Sequence, residues 1–420
     1  MILAPQPLTL SPGCMAMLRS TIALHRLLLA GQDESPEADA IRDASDGPWE
    51  SLSEVERNRV RNHSEDLYSL TERPPDALLM DSKAQAKLNE AFEAKQRGEW
   101  DKALELLRLW RAYIAPSLVS YLRGSIWLDA GEPETASLFF EHAFSIQPEN
   151  QKYLAMFLHA LNIAAPGAAS KHAEEILTEH LKYDPVVISR AVHIKLKATQ
   201  RMPESESRQL ADILKPILIS TVSRFSDQGL SELDVSSYVM AVTLLGCVYE
   251  SVGDLQSAME MYSRGLQLFP NNDALLTARG ILLYGTSPVA ITDLEMALRN
   301  GSRLIWPLFF LAHHRLINRQ YEDCRKLCER AISVGGSAAV VSEVLEWLAV
   351  AQAELGLPSE MVRATFDSAI RSDPSNERAK RNLSAFNIAS ESFNVREWET
   401  RSPGAVRMSS LAERRFAMAA

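Results

Sequence analysis

The sequence has 420 residues, 46% of them hydrophobic and 23% charged, with 18 glycines and 20 prolines. This composition supports a sizeable core, excludes wholesale disorder and speaks against a turn-rich all-β chain. The net charge of −10 speaks against nucleic acid or an anionic membrane as the main partner, because both select a basic footprint.

The charge is unevenly placed. Residues 31–82 hold fourteen acids against five bases, whereas residues 371–420 hold nine bases against six acids. The acidity belongs to the N-terminal part rather than to the whole surface. Four cysteines, Cys14, Cys247, Cys324 and Cys328, are too few for a disulfide framework and fit a reducing compartment, so a cytoplasmic location is expected. No apolar run of roughly 18 residues occurs, and no membrane insertion is expected.

Residues 1–16 read as an unstructured leader. Leu10-Ser11-Pro12-Gly13-Cys14 loosely echoes a lipoprotein cleavage site, yet no Lys or Arg precedes it, which argues against export. Residues 17–30 have helical spacing, with Leu18, Ile22, His25 and Leu29 near one face. Residues 31–50 are polar, with a short helix over 37–44. Ser51 or Ser53, with Glu54 or Glu56 three residues later, marks a helix start, and Pro74-Pro75 closes the helix that runs to about Leu70. Residues 17–82 thus form an acidic helical region without repeats. Trp49, Leu52, Leu67 and Leu70 give it an apolar side with which to dock, as an N-terminal cap, on the first repeat units.

From residue 83 to 390 the chain is periodic. The clearest unit reads Val242-x2-Leu245-Gly246-x2-Tyr249, then Gly253-Asp254, Ala258, Tyr262, Gly265 and Pro270. A second has Gly124, Trp127, Gly131-Glu132, Ala136, Phe140, Ala143 and Pro148. A third has Gly98-Glu99, Ala103, Leu107 and Trp110, and a fourth ends Phe366, Ala369, Pro374. Ala103 and Ala136 are 33 residues apart, and Pro270 and Pro374 are 104 apart, a span that holds three such units. Weaker units lie around Ala173 and Pro185, around Gly280 and Ala290, and around Cys324 and Ala331. The stretch 186–238 reads as one degenerate unit with an insertion near 221–236. Residues 377–390 supply a last helix that covers the final apolar face, and 391–420 read as a disordered tail.

This pattern resembles the tetratricopeptide repeat, W-x2-L-G-x2-Y followed by Ala, an aromatic, Ala and Pro. The resemblance implies an all-α fold: a solenoid of about eight helix-turn-helix units wound as a right-handed superhelix, preceded by the short helical N-terminal region. The Gly and Ala positions let paired helices approach, and the large residues fill the space between neighbours. The Gly-Asp or Gly-Glu pair ends the first helix and caps the second, and the late Pro breaks the second. The resemblance also implies a binding scaffold for a protein or peptide partner, with no reaction of its own. The segment 46–70 is similar to stretches that precede bacterial repeat arrays, and a bacterial source is expected.

No GxxxxGK(S/T), no GxGxxG after a strand, no HExxH and no GxSxG occurs, so neither a cofactor nor catalysis is expected. Cys324 and Cys328, with His313 and His314, are the one metal-like grouping. The repeat wants small and apolar residues at those cysteine positions, so core cysteines are the better reading and no metal is expected. His180 and His193, flanking Asp184, read as surface residues. Leu118, Tyr121, Ser125, Met240, Thr243 and Cys247 hold inward positions and cannot form the Lys, Asn and Arg clamp by which some tetratricopeptide proteins hold chaperone tails. Further along, the inward positions are aromatic. Tyr284, Trp306, Phe309, His313 and Trp347 form the candidate partner-binding groove. Phe393 and Trp398 of the tail, or the helix at 24–29, are internal candidates for filling it. Arg396, Arg401, Arg407, Arg414 and Arg415 read as a solvated end. The alternative readings are a subunit of a larger envelope or secretion assembly, or a regulator of an enzyme.

Overall fold

A computed structural model describes residues 10–198, 204–228 and 235–388. Among them are twenty α-helices and no strand. None of these helices is long and apolar enough to cross a membrane. The chain divides into two compact units, residues 1–190 and 191–420.

The N-terminal unit opens with α1 (Pro12–Leu29), α2 (Pro36–Glu50) and α3 (Glu54–Tyr68), and α1 packs against both of the others. Ser11 caps α1 by accepting from the Cys14 N–H, and Pro12 sits in the first turn, where a missing N–H is harmless. The helix therefore starts at Pro12 rather than near Met17. Cys14 is fully buried with Met17, Leu18, Leu52 and Val60, and Leu10 and Trp49 pack on this cluster. Leu10 and Cys14 thus belong to this core, whereas Pro12 and Met15 are exposed; residues 1–9 lie outside the described ones. α2 is longer than the expected 37–44 and tolerates Pro48 near its end. α3 begins with a capping box, Ser53 Oγ accepting from Glu56 N–H while the Glu56 carboxylate accepts from Ser53 N–H.

From residue 82 the chain runs in helical hairpins. In the N-terminal unit these are α4 (Ser82–Arg97) with α5 (Trp100–Leu109), α6 (Pro116–Asp129) with α7 (Pro133–Ile146), and α8 (Gln151–Ala164) with α9 (Pro166–Thr178). α7 also packs on α8, so one hairpin stacks on the next. α10 (Pro185–Ala198) spans the boundary between the units. In the C-terminal unit α11 (Glu204–Gln228) is followed by α12 (Val235–Ser251) with α13 (Leu255–Leu268), and α14 (Asp273–Leu283) with α15 (Val289–Arg299). Then come α16 (Ile305–Ile317) with α17 (Tyr321–Val334), α18 (Ala338–Glu354) with α19 (Ser359–Ser372), and the closing α20 (Glu377–Ile388). Residues 221–228, expected as an insertion, continue α11 past its internal Pro216.

The repeat positions act as close-packing sites. A Cβ on Gly246 would lie 2.2 Å from the Tyr262 ring, and one on Gly124 would lie 2.9 Å from the Phe140 ring. Those rings can enter only because the facing helix has no side chain there. Ala103, Ala136, Ala258 and Ala369 are all fully buried, as are Phe366 and Tyr262. Tyr249 lies under Lys215, whose ammonium is 4.7 Å from the ring centre. α7, α13 and α19 end two residues before Pro148, Pro270 and Pro374, because the residue ahead of proline is pushed out of the helical region. Gly98 ends α4 in the left-handed conformation, φ 77°.

The acidic caps are less uniform than expected. Asp254 does cap α13, accepting from Ser257 N–H at 3.1 Å. Glu99 and Glu132 make no such bond. Glutamate is one methylene longer and reaches elsewhere: Glu99 to Arg97 and Glu132 toward Arg59. The tail residues Phe393, Trp398, Arg396, Arg401, Arg407, Arg414 and Arg415 lie outside the described residues.

Candidate functional site

Tyr284, Trp306, Phe309, His313 and Trp347 do come together, all within the C-terminal unit. α14, α16 and α18 bring them there, successive first helices that touch one another. Phe309 and Trp347 have ring centres 4.6 Å apart, His313 and Trp347 5.2 Å, and the Tyr284 hydroxyl bonds His313 Nδ1 at 2.7 Å. They are not an open groove, however. Trp306 is 1% exposed and Trp347 3%, Phe309 and His313 are also buried, and only Tyr284 is half-buried. Aromatic residues on first helices that contact each other directly fill that contact and do not face solvent. The groove expectation is corrected accordingly. One polar atom is left over: Trp306 Nε1 is buried without a hydrogen-bond partner.

Cys324 and Cys328 are fully buried on α17 with their sulfurs 3.9 Å apart, and burial raises the Cys328 thiol pKa well above its usual range. His313 faces Tyr284 and Trp347, and His314 lies against Asn318. His193, read as a surface residue, is buried, whereas Asp184 is exposed.

The polar centre of the N-terminal unit has no counterpart among the sequence expectations. α3 docks on the α6–α7 hairpin, and the residue at the middle of the contact is Trp127. His63 meets the Trp127 ring edge-on at 5.0 Å, the Arg59 guanidinium lies 5.6 Å from its centroid, and its indole N–H donates to Asp66 at 3.1 Å. Arg59, His63 and Asp66 are all buried. Leu67 is buried as expected, but Trp49 and Leu52 belong to the α1–α3 core instead. Docking therefore rests on charged and polar side chains that hydropathy patterns discount. Burial raises the Asp66 carboxyl to about 6 despite the nearby Arg123, and lowers His63 to about 3.

Beside this centre lies a cavity of about 340 Å³. Residues 69–78 form one wall and the short turn at Arg111–Tyr113 with the first half of α6 forms the other. Leu78 N–H donates to Ala112 C=O at 2.8 Å and holds the two walls together. Arg123, 2% exposed, and the partly exposed Arg111 both line it. The only sequence signal is negative: Pro74-Pro75 forbids helix here and forces a strap.

The tetratricopeptide repeat family model matches residues 241–272, which are most of α12 and α13. No curated protein matches. Among solved structures, a tetratricopeptide repeat protein from Parabacteroides merdae is similar at 14% identity and TM-score 0.41, over 64% of this chain and 99% of that one. The Cut9–Hcn1 hetero-tetramer of APC/C is similar at 13% and 0.38, over 87% and 89%, and yeast Tom70 at 12% and 0.32, over 79% and 76%. The weight rests on the matched repeat and on the hairpins that reproduce its glycine-to-aromatic packing elsewhere in the chain, at Gly124 and Phe140 as at Gly246 and Tyr262. The chain is thus an array of helical hairpins that contains a tetratricopeptide repeat at residues 241–272.

Proposed function

We propose that the chain is a non-catalytic scaffold that captures a segment of a partner protein on the inward faces of the first helices in its N-terminal unit. The observation that carries this reading is an exposed apolar strip on α4 and α6. Phe92 is 45% exposed and Leu118 39%. Phe92 and Ser125 occupy equivalent places one repeat apart and line the same small depression with Lys95 and Leu122. Tyr121 extends the strip toward α8, its ring centre 5.3 Å from that of Tyr153. Large apolar side chains left in water on a repeat face suit an amphipathic partner segment. The C-terminal aromatics are unsuited to the role because they are already packed.

The test is affinity capture with the intact chain and with a Phe92→Ala/Leu118→Ala variant. Partners that bind the parent should be lost from the variant while its circular dichroism is unchanged. Retention of the same partners would place the binding surface elsewhere.

A further inference from the structure

Helices α1–α3 form a module with an apolar core of its own, in which Cys14, Met17, Leu18, Leu52 and Val60 are buried together. The module meets the repeat hairpins through polar side chains instead. Arg26 pairs with Glu134 at 2.8 Å, Arg59 faces Glu132 at 3.7 Å, and Glu65 accepts from Arg108. Together with the His63–Thr135 and Asp66–Trp127 bonds, these pairs set charge against opposite charge and donor against acceptor along the seam. An apolar seam loses its burial when it opens, whereas a polar one regains hydration, so each such bond resists separation by only about 1–2 kcal/mol.

The link between the module and the repeats is long and little attached. Residues 69–81 join α3 to α4, and fully extended they reach roughly 40 Å. Pro74-Pro75 keeps this strap from coiling into a helix. Residues 71–80 are all exposed, and Leu78 N–H is the one backbone group of residues 73–80 bonded to the rest of the described protein, at Ala112 C=O. Leu78, Leu79 and Met80 are nevertheless large and apolar, and Leu79 is 94% exposed. Three consecutive apolar side chains left in water mark a surface that another chain covers.

We propose that the cover is a second copy of this chain, brought in by exchange of the module. Residues 10–69 of each copy dock on α5–α7 of the other, and the two straps run antiparallel and bury Leu78, Leu79 and Met80 against each other. The exchanged seam is complementary in charge because it consists of the pairs already made within one chain. The contact is two-fold and closes at the dimer. The seam by itself does not favour exchange, since tethering gives the single chain a local concentration of millimolar order. The strap supplies the difference, because its apolar burial exists only in the dimer. The inference uses the strap and the seam, not the Phe92 and Leu118 strip, and so does not rest on the function proposed above.

The experiment has two arms, both on the full chain. Light scattering on a size-exclusion column, from micromolar concentration upward, should show a two-chain mass whose share rises with concentration. Leu79→Asp changes a side chain that touches little in the single chain, so the melting temperature should hold while dimerisation weakens at least about tenfold. The second arm tests exchange itself. Arg26→Cys and Glu134→Cys chains are mixed at high salt, which loosens the charged seam, returned to low salt, and treated with a short bismaleimide. The four native cysteines are buried, so the reagent joins the introduced ones. The mixture should give a cross-linked pair of chains, and neither variant alone should do so to the same degree. A one-chain mass at every concentration overturns the proposal and leaves the strap to a different protein. A dimer that does not cross-link between the two variants, or that Leu79→Asp leaves unchanged, overturns it as well.

Discussion

His63 on α3 and Thr135 on α7 share a 2.7 Å hydrogen bond, and the other ring nitrogen of His63 meets Thr21 on α1 at the same distance. The Thr21 hydroxyl already donates to Leu18 C=O at 2.8 Å, so it can only accept from the imidazole. Nδ1 therefore carries the proton and Nε2 accepts from Thr135. One neutral imidazole links the first helix, the third helix and the second repeat hairpin.

Stability should respond to pH with opposite signs at His63 and Asp66. Burial lowers His63 to about 3, so the folded state binds fewer protons there than the unfolded state, and stability present above about pH 6.5 is lost as pH falls. Burial raises Asp66 to about 6, so stability present below about pH 4 is lost as pH rises through 6. Each slope reaches at most about 1.4 kcal/mol per pH unit, and between pH 4 and 6 they cancel. Relative to the parent, His63→Gln should lose stability as pH rises over that window and Asp66→Asn as it falls. Denaturation midpoints at pH 4.5 and 6 read this directly; two variants with the same sign would refute the assignment.

Gly246→Ala should destabilise by about 2 kcal/mol or more, although alanine is the better helix former. The added methyl would meet the Tyr262 ring, which cannot retreat because its hydroxyl donates to Glu250 at 2.6 Å and the ring is fully buried. Thermal melts of the two proteins are sufficient, and an unchanged midpoint would show that the hairpin opens freely.

Trp347→Ala should cost about 3–5 kcal/mol, the range for truncating a buried tryptophan. Had the aromatic cluster been an exposed binding surface, the same change would leave stability nearly untouched. Urea unfolding of the variant distinguishes the two.

α20 is anchored by charge as much as by Phe386. Arg378 donates to Glu343 at 2.7 Å and to Glu346 at 2.6 Å, and both carboxylates are buried on α18. Arg378→Ala leaves two buried carboxylates without this cation, which costs about 3–5 kcal/mol. Hydrogen exchange should show amides of α20 losing protection first; uniform loss along the C-terminal unit would mean that α20 is not a separate cap.

The sequence alone was enough for the all-α class, the repeat period and the small-residue positions. These come from local rules: a 33-residue spacing repeats a hairpin, glycine marks close approach, and proline ends a helix. The Ser53–Glu56 capping box was legible for the same reason, since its partners lie three residues apart. Tertiary structure alone decided which side chains are open. Trp306 and Trp347 occupy inward positions by register, but contact between successive first helices buries them. Likewise the docking of α3 is carried by Arg59, His63 and Asp66, whose partners Glu132, Thr135 and Trp127 lie more than 60 residues away. A polar residue reveals its role only when its partner is known, and the partner is set by the fold.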